Sequence, residues 1–271
     1  MKRLLFLLSV LFLLILVGVA IFPSAFTTYD PFLQNLDLML LEPNDKHILG
    51  CDWLGRDLFS RLIYAARYTL ISGMLVSFLT LLIPLLLSGF ILFRGNLING
   101  LYLQVVDTFQ IFPPLLLAIL ISSRSDGGFL TIISALVLSG WAANGRLIRA
   151  YLLEIKNRDF VLVAYSLGAS DFRIFFKHIL PNIVSPLIIL FSLRTGMMIL
   201  AESTLNFLGL GGGDETLSWG AMVYGGKQFI GVNFMVSMYP ATAIALTVFC
   251  FQVLGEYFEN KYKPKVSGRL K

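Results

Sequence analysis

The sequence predicts an all-α membrane protein that crosses the bilayer six times, with both termini on the inner side. Three observations lead there. Of the 271 residues, 57% are hydrophobic and only 14% charged, and the mean hydropathy is +0.80, a balance far from that of soluble domains. The apolar residues collect into six runs, most of them near the roughly 20 residues a helix needs to cross a bilayer core. The cations, finally, are divided unevenly between alternate loops. The same composition excludes disorder, because apolar surface is abundant. Two cysteines, Cys51 and Cys250, argue against redox or metal chemistry. A net charge of +5 is small, and nucleic acid is not an expected partner.

The first run, 4–22, follows Lys2 and Arg3. A basic start, an apolar core and small residues at Gly18 and Ala20 also fit a secretory signal peptide. The run exceeds the roughly 7 to 15 residues of a signal core, however, so a retained span is expected. A polar stretch separates it from the runs at 69–93, 101–122, 129–143, 183–205 and 235–254. The fourth is short, and Ser139, Gly140, Trp141 and Asn144 read as its interfacial end. Pro84 and Pro113-Pro114 are placed to break helices. The chain thus divides into a span plus outer segment over 1–68, a membrane core over 69–256 and a basic tail over 257–271.

With the N-terminus inside, fourteen of the 21 Lys and Arg residues fall on inner segments. Six, namely Lys46, Arg56, Arg61, Arg67, Arg124 and Lys227, fall outside, and Arg194 lies within a span. That bias predicts an inner location for both ends. The outer side also holds acids, among them Asp52, Asp57, Asp214 and Glu215, which count little for orientation.

The longest inner segment, about 144–182, has helical pattern rather than linker composition. Asp159 is placed to cap a helix with the apolar stripe Phe160, Val161, Ala164 and Leu167. Gly168 sits where a left-handed glycine ends a helix. Ser170 or Asp171 then caps a second helix, striped by Phe172, Phe175, Phe176 and Ile179 and stopped at Leu180-Pro181. Arg158, Arg173 and Lys177 supply basic faces. Such a pair reads as an element offered to a partner's groove. An amphipathic pair lying on the lipid surface, or a satellite core between the spans, accounts for the stripes alone.

VAYSLGASDFRIFFKHILP, ending at Pro181, resembles the EAA loop of ABC importer permeases. That pattern is Glu-Ala-Ala, three residues, Gly, nine residues, Ile, one residue, Leu-Pro. Gly168, Leu180 and Pro181 match it in register, as does Ala164, while Leu162, Val163 and His178 stand where the family has Glu, Ala and Ile. HILGCDWLGRDLFSRLIYAARYTL, from His47, resembles the segment ahead of the second span in the dipeptide, oligopeptide and nickel importer group. VVDTFQIFP, from Val105, is similar to that group's third span, and LNFLGLGGGDETLSWGAMVYGGKQFI, from Leu205, to its outer loop after the fifth. The outer loop lacks the prolines usual before Ser-Trp-Gly.

The resemblance implies a type I ABC importer permease fold, with 151–181 as the segment that couples to the motor. It implies a heterodimer with a second permease subunit, two cytoplasmic ATPases and an extracellular or periplasmic solute-binding protein, in a bacterial inner membrane. This chain is expected to bind no cofactor, ATP and Mg residing on the ATPases. Coupling candidates are Asp159, Ala164, Gly168, Ala169, Ser170, Phe172, Lys177, Leu180 and Pro181. Peptides, nickel and other metal chelates are all open as cargo. An ion-gradient-driven secondary transporter is the alternative class. An enzyme is not expected, since no phosphate loop and no H-E-x-x-H motif exist and His47 and His178 fall on opposite sides.

Asp107, Arg194 and Glu202 lie inside spans, where a charged residue costs about 2.5 to 3.5 kcal/mol at a helix centre, so each is expected to face protein or a wet cavity. They are pore candidates, with interhelical pairing as the structural alternative. Arg194, near mid-span and without a family counterpart, is a candidate to meet a substrate carboxylate. Trp219 and Gly220, in a glycine-rich outer loop, are gate candidates. Asp52, Gly55, Arg56, Asp57 and Arg61 are expected to form an external scaffold that holds spans together, with binding-protein docking as the alternative.

Overall fold

The structure is a computed structural model that describes residues 2–212 and 216–262; Asp214, Glu215 and the basic tail from position 263 lie outside the described residues. Among the described residues there are ten α-helices and no strand. They are α1 (Lys2–Ile21), α2 (Leu58–Ile91), α3 (Asn96–Ile111), α4 (Pro114–Ser122), α5 (Phe129–Lys156), α6 (Asp159–Ser166), α7 (Asp171–Ile174), α8 (Leu180–Phe207), α9 (Trp219–Gly226) and α10 (Met235–Tyr262).

Five helical runs are long and apolar enough to cross a membrane, and α3 with α4 makes a sixth only as a pair bent by 77°. The span expected at 101–122 is thus a broken one, with its break at Pro113-Pro114. Phe112 is extended (φ −91°, ψ 132°), because a proline's ring disfavours helical geometry in the residue before it. Pro114 then starts α4 at a position where no N–H is needed.

α2 begins at Leu58, well ahead of the apolar run at 69, since Asp57 caps it by accepting from Ser60 N at 2.7 Å. α5 continues through the expected interfacial end at 143 to Lys156. Asn144 is buried there, donating to Thr80 O at 3.1 Å, and Ile148, Leu152 and Ile155 extend the buried face. Nor does Pro181 end the preceding helix. A π-helical turn at Phe175–Ile179 joins α7 to α8, widening the coil where the proline ring would meet the carbonyl four residues back. Asn182 Nδ2 donates to His178 O at 2.7 Å.

At the centre α2 packs between α5 and α8, with α10 against α8 and α1 against α10 and α2, whereas α3 and α4 rest on α5. Gly73 of α2 leaves room for Ile199 of α8, so the two helices approach closely. Arg67 of α2 closes the end of α1, donating to Ala20 O at 2.8 Å and Ile21 O at 2.7 Å. One end of the bundle carries the segment between α1 and α2 together with α9. The other carries α6, α7 and the π turn.

Candidate functional site

The α6–α7 end is built around one turn. Gly168 has φ +79°, Ala169 N donates to Ala164 O at 3.1 Å, and Gly168 N donates to Tyr165 O at 2.9 Å. This is a Schellman cap, whose left-handed residue tolerates a Cβ poorly. A Cβ on Gly168 would meet nothing within 4 Å, so backbone conformation and not space demands glycine. Ser170 caps α7, its Oγ accepting from Arg173 N at 3.4 Å. Tyr165 Oη spans the turn and donates to Asp171 Oδ1 at 3.1 Å. Burial, reinforced by that hydrogen bond and the Asp171 charge, pushes the Tyr165 phenol up to about 12, so it stays a donor at any physiological pH. Asp159 is not the cap of α6. Arg158 occupies that position without a side-chain bond, and Asp159 lies in the first turn, where its charge suits the helix dipole.

This segment has two unlike faces. Val161, Ala164, Ile174, Phe175 and Ile179 are buried with Leu92, Ile148, Leu152 and Ile155, and the ring of Phe175 occupies the space a side chain on Gly89 would take. Lys156 Nζ donates to Leu92 O at 2.8 Å, closing the end of α2 beside them. Leu162, Val163, Leu167 and Phe172 face outward, Leu167 being 82% and Phe172 73% exposed. Phe160 and Phe176 are exposed too, so only part of each predicted stripe is interior, and Ile174, outside both stripes, is fully buried. Gly168, Ser170, Lys177 and Pro181 are exposed, Ala169 and Leu180 partly buried. A groove of about 360 Å³ runs between Gly89, Phe90 and Phe93 of the α2 end and Phe172, Phe175 and Phe176.

At the opposite end polar groups are closed on one another. Asp52, fully buried, accepts from Leu54 N and Arg56 N at 2.9 and 3.0 Å and from Arg56 Nε at 2.7 Å, with Arg61 Nε at 3.3 Å. Arg61 also donates to Pro31 O at 2.9 Å. Asp57 caps α2 and lies 2.9 Å from His47 Nδ1. Gly55, at φ +69°, sits where a Cβ would run into the Asn35 carbonyl. Burial, with Asp57 and Asp52 adding, pushes the Cys51 thiol up to about 11, leaving it neutral and inert. Trp53 stacks on Phe229 and fills the space beside Gly225 of α9. Trp219, 1% exposed, binds α2 by donating from Nε1 to Leu62 O at 3.0 Å and from its backbone N to Thr69 Oγ1 at 3.2 Å. Gly220 packs on the backbone of Ser203.

The three intramembrane charges differ in setting. Asp107 Oδ1 pairs with Arg146 of α5, whose Nε lies 2.9 Å away. Arg146, expected on an inner loop, lies within the long α5. Glu202 is fully buried, accepting from Asn206 Nδ2 at 2.6 Å and Ser203 Oγ at 3.2 Å. Tyr68 of α2, whose buried hydroxyl has no partner among the described residues, lies within its electrostatic reach. Arg194 is partly buried on α8. Sequence reasoning missed Arg146, Asn206 and Tyr165. The four-residue spacing of Glu202 and Asn206 is readable on a helix, but the α3–α5 pair leaves no local signal. Among the described residues no three of His, Cys, Asp and Glu come together to hold a metal ion.

Residues 82–267 match the family described as binding-protein-dependent transport system inner membrane component. The chain is 34% identical over 263 residues to the dipeptide transport system permease protein DppC of Bacillus subtilis, covering 97% of this chain and 81% of that protein. It is also 34% identical over 263 residues to the glutathione transport system permease protein GsiD of Escherichia coli, covering 96% and 86%. In fold it is similar to a chain of the MetNI methionine ABC transporter in an inward-facing form, with a TM-score of 0.59 and 18% identity over 75% of this chain and 97% of that one. The chain belongs to the family of inner membrane components of binding-protein-dependent transport systems, multi-pass permeases and not a catalytic enzyme family.

Proposed function

We propose that this chain is one of two permease subunits that enclose the pore of an ATP-driven importer for peptide-type solutes. The observation that carries the reading is the unlike pair of faces on α6–Gly168–α7. One face is locked into α2, α5 and α8, and the other leaves Leu162, Val163, Leu167 and Phe172 uncovered, as an element seated in a partner's groove requires. That partner is one of two separate ATPase subunits, which hold the ATP and Mg. Their movement passes through the buried face to the spans and switches the pore between outward and inward access. The cation bias supports a cytoplasmic location for this end and for both termini. An external solute-binding protein delivers the cargo to the Asp52 end. Peptide-type cargo is favoured over nickel because the relatives are named for dipeptide and glutathione.

The test is to purify the chain with the proteins that assemble with it, reconstitute them in liposomes and measure ATP turnover and uptake. Dipeptide, glutathione and a nickel chelate are offered separately with the binding protein. Stimulation by the peptides is expected. Stimulation by the chelate alone would redirect the cargo, and uptake that runs on an ion gradient without ATP would overturn the importer reading.

A further inference from the structure

Among the described residues, three arginines of the spans are answered within the chain. Arg61 meets Asp52 and the Pro31 carbonyl, Arg67 holds the last carbonyls of α1, and Arg146 meets Asp107. Arg149 is buried beside Tyr102, its Nη1 sealed from solvent and without a hydrogen-bond partner among the described residues. Arg194 stands at the middle of α8 (Leu180–Phe207). Among the described residues no acid lies within ion-pair distance of it and no neighbouring charge acts on it. Unlike Arg149, it has no nitrogen closed off from the surface.

Its neighbours one turn away on α8, Leu190, Phe191, Met197 and Met198, are apolar, so its own helix supplies no counter-charge. The centre of a bilayer lies about 15 Å from either interface, too far for an arginine stem to carry its head group to water. A guanidinium left in hydrocarbon there costs about 2.5 to 3.5 kcal/mol. The head group therefore faces water or a carboxylate from outside the described residues. Dipeptide and glutathione, for which the relatives are named, share a free carboxylate and crossing the membrane brings it past mid-span. A guanidinium binds a carboxylate in a planar two-point contact that lysine does not reproduce.

We propose that Arg194 projects into the aqueous translocation path and binds the free carboxylate of the peptide in transit, which makes it a specificity-determining residue of the pore. This rests on the peptide reading above. A carboxylate from the second permease subunit is the competing partner, and the experiment separates the two.

The complete importer is reconstituted with Arg194, R194Q or R194K, and ATP-dependent uptake of alanyl-phenylalanine is compared with that of its C-terminal amide. R194Q should lower uptake of the free dipeptide about tenfold or more, the loss of one charge-assisted contact, and leave the amide unchanged; R194K should recover part of the loss. Equal loss for both peptides identifies a structural pair with the second subunit and overturns the proposal, as does no loss for either. An R194C importer is treated during turnover with a membrane-impermeant anionic thiol reagent, and labelling at position 194 is read by mass. Labelling slowed by the free dipeptide is expected; absence of labelling places the side chain away from water and overturns the proposal. If the unaltered importer takes up neither peptide, the peptide reading fails and the carboxylate assignment with it. Dipeptide uptake that is normal in R194Q defeats the arginine assignment alone.

Discussion

The two ends of the bundle handle exposed chemistry in opposite ways. Around Asp52 each charge is met at once: Arg56, Arg61, Asp57 and His47 are buried and paired within a short stretch of chain. Around Gly168 the interior face is just as well packed, yet Leu162, Leu167 and Phe172 remain uncovered. Charges taken from water are costly unless they are paired, so a closed polar knot serves the chain's own architecture. Exposed apolar groups on a rigid turn serve a second molecule. The difference separates residues that hold the permease together from those which, on the proposed function, connect it to a motor.

Four substitutions break or sharpen that comparison. Asp52→Ala leaves two buried arginines without their shared carboxylate and should destabilise the protein by about 3 to 5 kcal/mol, read as a loss of folded protein in a detergent thermal-unfolding assay. If Asp52→Ala melts like the unaltered protein, the outer network does not hold the spans. Gly168→Val forces a β-branched residue into left-handed backbone, costing about 1 to 2 kcal/mol. Melting should change little while ATP-driven uptake is lost, and unchanged uptake would sink the coupling role. Tyr165→Phe removes the bond to Asp171 and should cost about 0.5 to 1.5 kcal/mol, with faster hydrogen exchange at 164–171 as its signature. Phe172→Ser, at an exposed position, should shift stability by less than about 0.5 kcal/mol while weakening retention of the ATPase in a pull-down. Normal retention would move the docking surface elsewhere.

Much of this was legible in order along the chain. Gly168 and Ser170 were readable because caps depend on a few neighbouring residues and their backbone needs. Asp159 misled because a residue that caps well also serves in a first turn, and the path of the chain at Arg158 chose between them. Pro181 misled for a related reason: proline disfavours a helix interior, but a π turn supported by buried Phe175 and Ile179 lets the helix pass. The gate candidates Trp219 and Gly220 are buried against α2 and α8, an anchorage no local pattern announces.

By itself the sequence determined what depends on composition and short-range spacing: the membrane setting, the runs that span it, the uneven cations and the helix–glycine–helix turn. These follow from transfer of side chains between water and hydrocarbon and from the conformational limits of single residues, both of which act locally. The tertiary structure decided which charges meet. Asp107 finds Arg146, Asp52 finds Arg61, and Arg194 finds no acid within the described chain. Those outcomes depend on how helices cross, and a helix crossing brings together residues that are distant in sequence and carry no mark of each other.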